Sequence, residues 1–323
     1  VPLLLRLFGL MLLVSALALP MLQAPDRPVE TLVARWAPPP SEFIDLAGQL
    51  VHYRDVGPRG DAAPIVLLHG TSASLHTWEG WSKALRGQRR VISLDLPAFG
   101  LTGPFAGDYL TRWAGQPLYT TDHYARFVLD LLDRLGVQRF VVAGNSLGGD
   151  VAWHIAAAAP ERVAQLVLVD AAGYRFTPEE VPLGWRIARL PVLGRLTEHV
   201  LPRPFVLQGL RAVYGDPAKI DEALIDRYFE LTLRAGNRAA LVQRLRAWSA
   251  DEGVAKVVGV SAPTLILWGG RDRLIPPAFA QRFAADIPGS QRVVFDDLGH
   301  VPHEEDPLRT VAVVKAFLGL AAP

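Results

Sequence analysis

Short, almost wholly apolar runs recur along this chain and alternate with segments of helical periodicity. That alternation limits the fold more than any other feature. Ile65–Leu68, Val91–Leu94, Phe140–Ala143, Leu166–Val169 and Thr264–Trp268 are such runs, and Arg292–Phe295 completes the set. A strand that is apolar on both faces has to be covered on both faces. Gln49–Arg54 alternates well enough to be a further strand. Between these runs, Tyr124, Phe127, Val128, Leu131, Leu132 and Leu135 fall at helical spacing, with Asp122 as a possible N-cap and Gly136 as the stop. Val151–Ala159 reads as another helix, ended by Pro160. Strands separated by helices predict an α/β fold with a mostly parallel sheet and helices on both faces.

One region breaks the alternation. From Gly173 to about Gly253 there is no strand signal, and Asp221–Trp248 has helical character. The expected organisation is therefore an α/β core over 42–172 and 251–323, interrupted by a helical insertion over 173–250. The 323 residues suit a single large unit of this kind.

The chain start is different again. Residues 1–24 are almost continuously apolar, broken by Arg6, Gly9, Ser15 and Pro20. The length lies between that of a signal peptide's apolar region and that of a membrane span. Ala16 and Ala18 offer a small-residue cleavage site, although Pro20 lies close behind. An uncleaved anchor, a cleaved signal and a buried core helix all fit. The expectation is a membrane-anchored or exported protein, at a bacterial inner membrane or in the periplasm. Residues 25–41, with Pro38, Pro39 and Pro40 in a row, read as a stiff spacer.

Composition excludes several functions. Lys and Arg total 33 against 32 for Asp and Glu, a net charge of +1, so the global positive excess of a nucleic-acid binder is missing. No cysteine is present, which excludes thiolate catalysis, disulfides, iron–sulfur clusters and cysteine zinc sites.

Gly144-Asn145-Ser146-Leu147-Gly148-Gly149 follows directly on the apolar run Phe140–Ala143 and precedes a helical run. A G-x-S-x-G string is weak alone, but a strand-to-helix turn is the context that gives it meaning. Glycines permit the close backbone approach, and the serine is held on a strained turn with its hydroxyl at the carboxyl end of the sheet. The string lacks the Lys-Ser/Thr ending of a phosphate loop and the spacing of a dinucleotide fingerprint.

A serine hydroxyl needs a base, and the base needs an orienting acid. Asp272 follows the run Thr264–Trp268, and His300 follows the run ending at Phe295. Both are thereby placed at the same sheet edge as Ser146. Asp170, at the end of Leu166–Val169, competes as the acid, and His303 competes as the base. His69-Gly70-Thr71 follows Ile65–Leu68. The backbone N–H groups of Thr71 and Leu147 are the natural donors to a developing oxyanion. His69 reads as a structural residue of that loop, and Thr71, Ser72 and Ser74 could offer hydroxyl contacts to substrate.

With these residues in view, the sequence over about Phe43–Leu318 resembles the α/β-hydrolase superfamily. The resemblance rests on His69-Gly70, Asp95-Leu96-Pro97-Ala98-Phe99-Gly100, the turn at Ser146, Trp268-Gly269-Gly270-Arg271-Asp272 and Gly299-His300. It implies an eight-stranded, mostly parallel sheet, a helical cap over the active site, and structural roles for Asp95 and Glu305. Ser146 stands where haloalkane dehalogenases and epoxide hydrolases carry aspartate. Gly144-Asn145-Ser146 looks like the meta-cleavage-product hydrolases, which break carbon–carbon bonds. Those enzymes usually carry tryptophan after the histidine, where this chain has Val301, and use a cap arginine, for which Arg234 is a candidate.

The leading expectation is a serine hydrolase of carboxylic esters, working through an acyl-enzyme with Ser146, His300 and Asp272. Its partner would be a small-molecule ester with an apolar moiety, with Trp185, Phe205 and Phe229 as candidate pocket residues. No metal or cofactor is required, and no nucleic acid is expected. The N-terminal segment offers a possible membrane contact. A carbon–carbon hydrolase using the same triad is the alternative, and a non-catalytic binding protein on this fold is a third reading.

Overall fold

In the computed structural model, residues 3, 5–10, 24–174, 183–190, 193–247 and 254–321 are described. Eight strands form one sheet: β1 (Ser41–Leu46), β2 (Gln49–Val56), β3 (Ile65–Leu68), β4 (Val91–Leu94), β5 (Phe140–Asn145), β6 (Val163–Val169), β7 (Thr264–Gly269) and β8 (Gln291–Phe295). Their spatial order is β1-β2-β4-β3-β5-β6-β7-β8. The first two strands pair antiparallel, as do β2 and β4, and every other pairing is parallel.

The apolar runs have a direct physical reading. Side chains alternate across a sheet. Ile65, Leu67, Val141, Ala143, Leu265 and Leu267 enter a core on one face. Val66, Leu68, Val142, Ile266 and Trp268 enter the larger core on the other. Helices supply the covering layers: α1 (Glu30–Trp36), α2 (Glu79–Leu85), α3 (Asp108–Arg112), α4 (Thr121–Arg134) and α5 (Leu147–Ala158) precede β6. Between β6 and β7 the described elements are helical: α6 (Leu183–Ala188), α7 (Leu193–Thr197), α8 (Arg203–Val213), α9 (Glu222–Thr232) and α10 (Asn237–Ala247), with short 3-10 turns. The chain ends with α11 (Ala278–Asp286), β8, α12 (Pro302–Glu305) and α13 (Pro307–Phe317).

Helix α4 follows the expected spacing. Thr120 caps it by accepting from His123 N–H at 3.2 Å, so the cap lies two residues before Asp122. The stretch read as a stiff spacer contains α1. Its Leu32 is buried with Leu101 of the core and Leu231 of α9. The backbone of Arg27 pairs with this insertion too, its N–H donating to Leu233 O at 2.6 Å and its carbonyl accepting from Ala235 at 2.8 Å.

The expected membrane-anchored or exported location is corrected here. Among the described residues no helix is long and apolar enough to cross a membrane. Residues 5–10 are helical and exposed. Residues 11–23 of the apolar segment, with the Ala16–Ala18 cleavage reading, lie outside the described residues.

Candidate active site

Strand β5 passes into α5 through a single residue, Ser146, whose φ of 54° and ψ of −115° are unfavourable for a side-chain-bearing residue. The surroundings hold it there. Its N–H donates to Val169 O at 3.1 Å, and its carbonyl accepts from Asp150 and Ala172, each at 3.0 Å. A Cβ on Gly148 would fall 2.1 Å from Leu68 O, and one on Gly144 would fall 2.0 Å from Gly148 O. The glycines of the motif therefore let β3, β5 and α5 meet backbone to backbone. Asn145 links the turn to its neighbours: its Nδ2 donates to Val169 O at 3.1 Å and to His300 O at 2.9 Å.

Asp272 and His300 come from the turns after β7 and β8. His300 Nδ1–H donates to Asp272 Oδ2 at 2.7 Å, and both side chains are buried. Asp272 Oδ1 accepts from the amides of Leu274 and Ile275 at 2.8 and 2.9 Å, which fixes the carboxylate plane. Ser146 and His300 line the same cavity.

The competing residues are placed otherwise. Asp170, also in the left-handed region at φ 45°, accepts from Gly269 N–H at 2.9 Å, and its Oδ2 is buried without a donor. Burial and the neighbouring Asp272 push its carboxyl well above the usual range. His303 is packed against Trp78 at 3.9 Å between ring centres, with Nε2 at 3.0 Å from Thr77 Oγ1. Burial, with His300 nearby, drives its pKa well down. It does not line the cavity.

Thr71, in the loop after β3, lines the same small cavity as Leu147 at the start of α5. Neither Thr71 N–H nor Leu147 N–H has an acceptor among the described residues, as the opening amides of a helix do not. His69 is a tie in this loop. Its Nδ1–H donates to Gly70 O at 2.8 Å and its Nε2 accepts from Leu96 N–H at 2.9 Å. Asp95 is equally structural: buried, it accepts from Leu75 N–H at 2.7 Å, Leu101 N–H at 2.8 Å and His52 Nδ1 at 2.7 Å. Burial opposes its charge, but His52 outweighs this and holds the carboxyl below its ordinary range. Ser72 lines the cavity with Thr71, whereas Ser74 Oγ is engaged by His76 Nδ1 at 3.0 Å.

The cavity above Ser146 measures about 280 Å³ and its walls are largely apolar. Trp185 and Phe205 line it, joined by Val206, Leu210, Tyr228 and Arg238. Phe229 does not; the Arg203 guanidinium lies 5.8 Å from its ring. Arg234, the candidate cap arginine, is not in the wall either. Its Nη1 donates to Ala235 O at 2.7 Å and its Nη2 to Thr102 O at 3.4 Å.

The insertion is docked directly on the loop of His300. His300 N–H donates to Val213 O at 2.7 Å. Glu305 Oε2 accepts from Gly299 N–H at 2.8 Å and Gly215 N–H at 3.0 Å, and its Oε1 accepts from Asp216 N–H at 2.8 Å. Sequence reasoning assigned Glu305 only a structural position and gave no sign of this bridge.

Among the described residues, one grouping of metal-type donors occurs: Asp170, Asp272 and His300, with ligand atoms within 4.8 Å of one another. The Asp272–His300 hydrogen bond and three backbone amides already use most of those atoms.

The alpha/beta hydrolase fold family matches residues 63–307, and the chain belongs to that family. It is 28% identical over 309 residues to an uncharacterized protein of Mycobacterium tuberculosis, spanning 89% of this chain and 83% of the relative. It is 27% identical over 281 residues to a 2-hydroxy-6-oxononadienedioate/2-hydroxy-6-oxononatrienedioate hydrolase of Cupriavidus pinatubonensis, spanning 83% and 90% of the two chains. Among solved structures it is similar to a bacterial membrane phospholipase A described as a virulence factor. That similarity has a TM-score of 0.68 and 25% identity, and covers 98% of this chain and 95% of the other.

Proposed function

We propose that this α/β hydrolase is a serine hydrolase of carboxylic esters. One observation carries the reading. Ser146, on its strained turn, opens on the same cavity as His300, and Asp272 holds His300 by Nδ1 at 2.7 Å. Ser146 Oγ attacks the ester carbonyl carbon while His300 Nε2 takes the hydroxyl proton. Asp272 keeps the Nδ1–H tautomer and stabilises the imidazolium. The amides of Thr71 and Leu147 donate hydrogen bonds to the developing oxyanion. Collapse breaks the carbon–oxygen bond, and His300 gives its proton to the departing alcohol. Water, deprotonated by His300, then releases the acid and restores Ser146.

Carbon–carbon hydrolysis is the second reading, favoured by the activity for which the Cupriavidus relative is named. Two features weigh against it: Val301 follows His300, and Arg234 is spent on loop carbonyls.

The test is turnover of p-nitrophenyl acetate, butyrate, octanoate and palmitate by wild type and Ser146→Ala. Turnover that disappears in the variant is expected. A well-folded wild type inert on every ester would overturn the reading and put ring-fission dienones first.

A further inference from the structure

Two cavities meet at Ser146. The larger is the 280 Å³ space already described; the smaller, of about 50 Å³, shares Thr71, Ser146 and Trp185 with it. His300 lines only the larger, and Leu147 only the smaller. On the ester reading, on which this inference rests, His300 protonates the leaving alcohol. The alcohol therefore occupies the larger, apolar cavity, and the acyl group turns toward the smaller one.

The wall of the smaller cavity carries Arg244 of α10, whose side chain is 5% exposed. Arg244 makes no side-chain hydrogen bond among the described residues, and its Nη1 is buried with no partner. Asp150 Oδ2 lies 3.8 Å from Nη2, beyond hydrogen-bond reach, and already accepts from Thr121 Oγ1 at 2.9 Å. Burial raises the Asp150 carboxyl against the opposing charges of His154 and Arg244. Among the described residues no carboxylate lines this cavity. A buried guanidinium with unused donors is unfavourable unless something supplies acceptors, and carboxylate is the planar acceptor that fits it.

We propose that Arg244 is the anion-binding residue of an acyl subsite, and that the substrate is a monoester of a short dicarboxylic acid with an apolar alcohol. The volume agrees. At about 50 Å³ against 280 Å³, the smaller cavity takes a short arm and not a long chain. A malonyl or succinyl arm fits; a fatty acyl chain does not.

The test compares hexyl hydrogen succinate with its neutral isostere, hexyl 4-methylpentanoate, in wild type, Arg244→Gln and Arg244→Lys, with p-nitrophenyl acetate as the control for ester chemistry. Wild type should favour the acid by about tenfold or more in kcat/KM. Arg244→Gln should bring the ratio close to one, and Arg244→Lys should restore part of it. A wild-type ratio near one overturns the proposal without any variant, and so does a preference that survives in Arg244→Gln. If p-nitrophenyl acetate and both hexyl esters are inert, the ester reading itself has failed. Calorimetry on Ser146→Ala then decides the anion site. Binding of hexyl hydrogen succinate that vanishes on adding Arg244→Gln supports it; no binding, or binding indifferent to that change, overturns it.

Discussion

Asp170 and Asp272, at the ends of the adjacent strands β6 and β7, place buried carboxyl groups within 4.8 Å of each other. Two such groups cannot both ionise cheaply. Asp272 accepts from the His300 Nδ1–H and two amides; Asp170 accepts from one amide. Burial, with Asp272 and Glu305 adding negative surroundings, raises the Asp170 carboxyl well above its usual range.

A stability prediction follows for Asp170→Asn. The folded pKa of Asp170 is raised, so above about pH 4 the folded state holds a proton that the unfolded chain has lost. Wild-type stability should therefore fall relative to Asp170→Asn as pH rises from about 4, by up to about 1.4 kcal/mol per pH unit until the folded group titrates. Urea melts of both proteins between pH 4 and 8 measure this. A difference that stays flat across the range would show Asp170 to be ionised. Ester turnover should be largely retained, because asparagine keeps both a donor toward Asp272 and an acceptor for Gly269.

Gly148→Ala should be severe although it adds one methyl group. The new Cβ would sit 2.1 Å from Leu68 O and 2.8 Å from His69 O, both backbone atoms that cannot rotate away. Overpacking of this kind typically costs about 1–3 kcal/mol, and backbone neighbours place it at the upper end. The same shift displaces the Leu147 amide, so kcat should fall by about a hundredfold or more. Thermal melts beside single-turnover kinetics separate the two losses. An alanine variant with unchanged melting temperature and kcat would contradict the contact.

Glu305→Ala removes an acceptor shared by three amides, two on the insertion and one on the loop of His300. Leaving them unpaired should cost at least about 3 kcal/mol. Glu305→Gln keeps one acceptor oxygen and should cost less. Both should lower kcat more than they raise KM, since His300 loses its alignment while the apolar cavity remains. Denaturant melts and steady-state kinetics check the order Ala worse than Gln worse than wild type.

How much of this was legible depends on where each partner comes from. The central strands wrote their own pattern, because Ile65–Leu68 and Leu265–Leu267 are buried on both faces. Ser146, Asp272 and His300 could be placed together because each follows such a strand. Strand β1 left no comparable trace: Ser41–Leu46 is an edge strand of mixed exposure, with only Leu46 buried. The arginines of the insertion were indistinguishable in sequence. Arg227 is taken by Glu304, Arg238 by Asp26, Arg234 by carbonyls, and Arg244 faces the small cavity. Glu304, Asp26 and Thr102 lie far along the chain from these arginines, so no local pattern could sort them.

The stretch before β1 was the other surprise, and it yields the last prediction. Leu32 is 1% exposed and sits between Leu101 of the core and Leu231 of α9. Trp36 Nε1 donates to Glu230 Oε2 at 2.7 Å, and Asp26 Oδ2 accepts from Gly236 N–H at 3.0 Å, so this stretch binds the insertion along its length. Exposed ion pairs such as Arg35–Asp226 add little, typically under about 1 kcal/mol. The buried leucine should dominate. Leu32→Ala is expected to cost about 2–4 kcal/mol, whereas Arg35→Ala should cost under about 1. Limited proteolysis of Leu32→Ala should cut first between residues 24 and 40, before the core opens. Equal losses for the two variants, or cleavage that begins elsewhere, would mean that the stretch is held by its charges and not by its apolar face.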